Sequence, residues 1–138
     1  VIDAADLTLP EGDRRRLIVW AAACAARLLP VFSAERPDDG RLRDALDGAA
    51  AFAGGTLGVG VMRTLAFGCH AAARDAESAE ATAVARAVGQ AAAVAHMAGH
   101  SREIPRYTRK ALAGEQLVAE LERQRASVPA GFAAYVFG

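Results

Sequence analysis

An all-α fold, one compact bundle of about six helices spanning residues 1–138 around a central, buried, Ala-rich helix, is predicted by three observations. About a quarter of the residues are Ala, the best helix former and the smallest core side chain. Apolar residues recur at steps of three and four along most of the chain, the period of one helix face. No alternating apolar segment bounded by hairpin turns is present, nor any low-complexity tract, linker or fixed repeat. With 138 residues, 53% of them hydrophobic and only 6% aromatic, the core must come from helices that approach one another closely.

Thr8-Leu9-Pro10-Glu11 has the form of a capping box with Pro in the first turn, so a first helix is expected to begin near Pro10. Leu17, Trp20, Cys24, Leu28 and Val31 form its apolar stripe, and Pro30 followed by the turn from Glu35 to Gly40 predicts an end near Leu29. A second helix from Asp39 carries Leu42, Ala45, Leu46, Ala49 and Phe52 inward. It stops at Gly54-Gly55, where backbone entropy opposes a helix. A third, from about Thr56 to Arg74, is expected to turn Leu57, Val61, Leu65 and Ala72 inward. The fourth, Ser78 to about Gly99, has Glu80 near its positive end and is apolar nearly all round from Ala87, the pattern of a central helix. Tyr107, Ala111 and Leu112 mark a short fifth helix. Glu115 to Ser127 forms a sixth that packs Leu117, Val118 and Leu121 while Glu120, Glu122 and Arg123 stay wet. The apolar tail Phe132, Tyr135, Val136 and Phe137 is expected to fold back on the bundle.

Charge narrows the partners. Sixteen basic residues balance sixteen acidic ones, so bulk electrostatics offer no pull toward nucleic acid, and neither basic run is interleaved with aromatics as a single-strand surface would be. The longest uncharged stretch, Ala87 to Ser101, is about fifteen residues and holds Gln90, His96 and His100, too short and polar to cross a bilayer. Val1-Ile2-Asp3-Ala4 shows no secretory pattern, and a cytoplasmic location is expected. Cys24 and Cys69 lie in Ala-rich helical stretches outside any metal or redox spacing and read as buried free thiols.

His96 and His100, four apart, would stack on one face of the fourth helix, a spacing that can bring two imidazoles to a metal. No carboxylate completes the set. If the third and fourth helices pair about Glu77, His70 lies opposite Val84, about 17 Å from His96 along the axis. Neither a metal nor another cofactor is therefore expected. The two histidines read as buried, hydrogen-bonded imidazoles or as the wall of a small pocket floored by Gly89 and Ala92. Gly54, Gly55, Gly58 and Gly60 lack the Lys or preceding strand of a phosphate loop and read as a helix break with close packing. Arg102, Arg106, Arg109 and Lys110 crowd one segment, with positions 102, 106 and 109 on a common face that could meet an acidic surface. Arg14-Arg15-Arg16 is a second basic run, read as a solvated one.

Three segments carry a resemblance: Trp20 to Pro30 (WAAACAARLLP), Cys69 to Arg74 (CHAAAR), and Ala85 to Ala91 (ARAVGQA) continuing through His96 and His100. Tyr107-Thr108-Arg109-Lys110-Ala111 adds to them. Over about Leu17 to Leu121 the chain resembles the small bacterial helical proteins of the Imm-5-like putative immunity protein family. It departs from that pattern at Phe52, Gln90 and Ala95. The resemblance implies an all-helical fold and toxin neutralisation, and it supplies no catalytic residues.

The reading that follows is a protein that binds without turning over a substrate, its partner a toxin-like protein or a small anionic ligand. The surface expected to carry this is the end of the central helix, where Gln90, His96, His100, Arg106, Tyr107 and Arg109 would gather. The alternative is a small helical enzyme or small-molecule-binding protein that uses the same His/Tyr/Arg pocket. Oligomeric state is left open.

Overall fold

The computed structural model describes residues 2–138. Among them are seven α-helices, one short 3-10 turn and no strand: α1 Glu11–Glu35, α2 Arg41–Ala53, α3 Val59–Asp75, α4 Ala79–Ala93, the 3-10 turn Ala98–Arg102, α5 Glu103–Ala111, α6 Gly114–Ser127 and α7 Ala133–Phe137. The all-α expectation holds, with one more α-helix than the six predicted because the apolar tail itself forms α7.

Helix α4 is the centre. Ten of its fifteen residues are buried, from Ala81 to Ala93, and α1, α2, α3 and α5 all pack on it. Ala and Gly side chains let those neighbours come close, which replaces the bulk that aromatics would supply. Ser78 caps its start by accepting a hydrogen bond from Ala81 N at 3.0 Å.

Helix α1 does not stop at Leu29. It runs through Pro30 to Glu35. Pro30 is exposed, and the six residues gained bury Phe32 completely and carry Glu35 to the α3–α4 connection. There its carboxylate accepts from Glu77 N at 2.7 Å and Ser78 N at 2.9 Å. The proline costs one backbone donor and strain against the preceding turn, and burial beyond it outweighs that. The anticipated capping box is absent as well: Asp6, not Thr8, accepts from Thr8 N and Leu9 N, and Pro10 stands at the cap without a side-chain bond. Among the described helices α1 alone is long and apolar enough to cross a membrane; in this fold Leu17, Ile18, Cys24, Leu28 and Phe32 are sealed in the core.

Two apolar faces differ from the sequence reading. In α3 the buried side chains are Met62, Ala66, Cys69, Ala72 and Ala73, while Val61 and Phe67 point to solvent. In α6 the inward groups are polar: Glu120 and Gln124 are buried and Val118 is 56% exposed. Glu120 accepts both prongs of Arg27 at 2.7 and 2.9 Å, and Gln124 Nε2 donates to Glu120 and to Thr108 Oγ1. Trp20 Nε1 donates to Gln124 O at 3.1 Å. Periodicity cannot see such a seam, because the charged residue it places in water is the one that docks the helix. The glycines after α2 break the helix as expected, with Gly55 at φ +81, but nothing packs against Gly58 or Gly60.

Candidate functional site

Around the C-terminal end of α4 the three histidines come together. His70 leaves α3 toward α4 and fills the gap left by Gly89: a Cβ there would stand 2.8 Å from His70 Cε1 and 3.2 Å from Cys69 Cβ. The partner of His70 is thus Gly89 and not Val84, five residues farther along α4, or about 7 Å nearer His96 at the rise of a helix. Helix α4 itself ends at Ala93, because the amides of Val94, Ala95 and His96 bond three residues back and tighten the last turn. His96 and His100 therefore do not share a helix face. They flank a break at Met97, whose backbone is extended, and their rings meet at 5.2 Å between centroids, tilted by 59°.

The N-terminal segment holds that break in place. Leu7 O accepts from Gly99 N at 2.8 Å and Thr8 O from Ala98 N at 3.2 Å. Arg14 clamps the turn from below, donating to Ala95 O and Leu9 O. Arg102 joins the two chain ends by donating to Tyr135 O and Ala4 O, and the Tyr135 hydroxyl donates to Asp6 O.

Between α3 and this turn lies an open cavity of about 440 Å³. His70, His96 and His100 form its polar wall, Ala66, Phe67 and Ala93 its apolar one, and Arg63 stands at the rim. No carboxylate lines it. Burial holds all three imidazoles below their ordinary titration range, helped at His70 by Arg86 and Arg74 and at His96 by His100, Arg63 and Arg14; at His100 the Glu103 carboxylate works the other way. Near neutral pH the rings are uncharged.

Their hydrogen bonding is uneven. His100 Nδ1 lies 2.7 Å from Gln90 Oε1, an acceptor, so that nitrogen carries the proton and donates. Nδ1 of His70 and of His96 is sealed from water with no partner. A sealed N–H without an acceptor is the costlier arrangement, so the proton belongs on Nε2 in both rings. Among the described residues, no group bonds Nε2 of any of the three.

Of the residues expected to form the site, Gln90, His96 and His100 are assembled. Arg106, Tyr107 and Arg109 are not among the side chains that line the cavity. Arg106 pairs with Glu103 at 2.8 Å and lies over the Tyr107 ring, which Lys110 approaches from a further side. Arg102, expected on a common face with them, is consumed by the chain termini. Arg63, Ala66, Phe67, His70 and Ala93 are the lining residues that sequence reasoning missed, and Gly89 and Ala92, expected as the pocket floor, do not line it. Phe67, a large aromatic left 69% exposed, leaves an oddity in the α3 helical pattern that a strict reading at steps of three and four from Met62 would have found.

Among the described residues, no group of three His, Cys, Asp or Glu side chains is placed to hold a metal ion. Cys24 and Cys69 are free and buried, and burial pushes both thiols up to about 12. Such thiols are poor nucleophiles. No curated protein and no solved structure matches the chain. A family model does, over residues 7–131, and the chain belongs to the family it describes, Imm-5 like putative immunity protein.

Proposed function

We propose that this protein acts by binding a toxin-like protein, and that the contact is made by the outward face of α3 and the turn at His96–His100. One observation carries the reading: an open cavity whose rim is an exposed aromatic, Phe67, beside an arginine, Arg63, that has no carboxylate partner among the described residues. Aromatic and Arg side chains at the edge of a concave surface are the groups that anchor protein interfaces. Family membership agrees with a non-catalytic role of this kind. The cavity wall also carries no hydroxyl or thiol that its histidines could activate as a nucleophile.

A second reading rests on the cavity's size, which suits a small molecule. Binding measurements against candidate toxin-like proteins separate the two. Phe67→Asp and Arg63→Glu should each weaken the complex by about tenfold or more while leaving the melting temperature unchanged. Val19→Asp, on the exposed side of α1, serves as control. Loss in the control with none at Phe67 and Arg63 would move the interface elsewhere.

A further inference from the structure

The histidine cavity has a donor pattern of its own. His70 and His96 line it with Nδ1 sealed and unpartnered, which leaves Nε2–H as the donor each ring can offer; Arg63 lines the same space, and no acidic side chain is among the lining residues. Around it Arg74 and Arg86 act on His70 through their charge, and neither they nor Arg63 make any ion pair or hydrogen bond among the described residues. Elsewhere five arginines are neutralised, since Arg15, Arg16, Arg27, Arg36 and Arg41 all have carboxylate partners, whereas Arg14 and Arg43 donate only to carbonyl or hydroxyl oxygens. A net charge of zero thus conceals a local group of arginines without carboxylate partners beside the cavity.

We infer that this cavity receives a carboxylate carried on an apolar stem, supplied by an acidic side chain of the protein partner. The two carboxylate oxygens would accept from His70 and His96, Arg63 would neutralise the charge from the rim, and the stem would lie against Ala66, Phe67 and Ala93. His100, its Nδ1–H committed to Gln90, offers Nε2 as an acceptor for a neighbouring N–H such as a partner's backbone amide. A cationic side chain is disfavoured by three surrounding arginines and by the missing counter-charge. Once seated, the carboxylate favours protonation of the rings beside it. Binding should therefore tighten as pH falls. The charged and titratable groups that enter this balance are Arg63, Arg74, Arg86 and Arg14 on the positive side and Glu103, near His100, on the negative.

This inference rests on the binding surface proposed above, and it is tested without the partner. The folded protein, labelled with ¹⁵N in its histidine rings, is titrated with 3-phenylpropionate, its uncharged amide and phenethylamine. The carboxylate should shift the His70 and His96 ring signals saturably, bind about threefold tighter at pH 6 than at pH 8, and weaken about tenfold in Arg63→Glu. The amide and the amine should leave the rings unmoved. Arg63 is exposed, so that variant keeps its fold; His70→Phe with His96→Phe, checked for an intact melting transition, should abolish binding while preserving ring volume.

Equal binding of amine and carboxylate, or no ring response to the carboxylate, overturns the inference. If partner capture still depends on Phe67 in that case, the binding surface stands and only its ligand chemistry is wrong. Carboxylate binding combined with partner capture indifferent to Arg63 and both histidines would overturn the assignment to a partner side chain and make a free small carboxylate the occupant.

Discussion

Two polar clusters sit inside this Ala-rich bundle, and they differ in how their hydrogen bonds are spent. In the seam between α1, α5 and α6, Arg27, Glu120, Gln124, Thr108 and Trp20 bond one another in a chain, and among the described residues Gln124 Oε1 is the one buried side-chain atom of this set without a partner. In the cavity between α3 and the turn after α4, His70 and His96 make no hydrogen bond among the described residues, while His100 is tied to Gln90. A bonded network holds an element in place; one with open donors beside a cavity is equipped to meet something else. The contrast separates polarity spent on holding the fold from polarity left unspent, without reference to which residue types are involved.

Breaking the seam should have the largest effect. Glu120→Ala leaves the Arg27 guanidinium and Gln124 Nε2 short of an acceptor in a mostly buried setting, at a cost of about 2–3 kcal/mol read from urea unfolding. Replacing both charges, as in Arg27→Met with Glu120→Leu, should recover most of that loss, because no orphaned charge remains. Phe67→Ala, on the cavity rim, should leave stability within about 0.5 kcal/mol of the parent. If Phe67→Ala cost as much as Glu120→Ala, the division between the two clusters would fail.

The same contrast explains what could be read in advance. Helix existence was legible for α1 to α6, since the step of three and four and the Ala content act locally; the apolar tail was expected to pack on the bundle but not to form α7. The face was not always legible. In α6 the pattern favoured Leu117, Val118 and Leu121 as the packing side, but a bidentate carboxylate held by Arg27, 93 residues away in sequence, turns Glu120 inward instead. In α1 the proline signal was overridden by burial of Phe32. At the site, His96 and His100 were found as neighbours for the wrong reason: the expected helix face ends at Ala93, and a 3-10 turn restores the contact. His70 was placed too far away because the pairing of α3 with α4 is set by the gap at Gly89, a tertiary fit that no local pattern encodes.

That gap supplies the next test. Gly89→Ala would improve helix propensity by up to about 1 kcal/mol, yet the new Cβ meets His70 Cε1, His70 Nδ1 and Cys69 Cβ at 2.8, 3.1 and 3.2 Å. The ring must move or α3 must shift, so a net loss of about 1–2 kcal/mol is expected. The His70 ring signal should move with it, while the indole N–H signal of Trp20, in the seam, should stay in place. Gly48→Ala is the milder comparison, because its nearest neighbour is the flexible end of Leu65. Equal losses at the two positions would mean that backbone freedom, and not the space for His70, explains Gly89.

The smallest effect expected is on the pH dependence of stability, and its sign tests the electrostatics of the cavity. In the unfolded chain the histidines titrate near 6.5; in the folded protein all three lie lower, chiefly through burial and secondarily, at His70 and His96, through nearby positive groups. The unfolded state therefore takes up protons first as pH falls. The stability this difference represents is fully present above about pH 6.5 and is lost as pH drops through the folded-state values. Glu35 and Asp39, whose hydrogen bonds hold their carboxyls below the usual carboxylate range, stay charged in both states until lower pH and contribute to a separate, more acidic loss. Melting temperatures should accordingly decline between pH 7.5 and pH 5.5, and His70→Gln with His96→Gln should flatten that segment without altering the acidic limb. A saturating carboxylate should flatten it too, because a bound anion raises the folded-state titration of the same rings. A decline that persisted undiminished in the double variant would place the titrating group at His100 or outside the cavity.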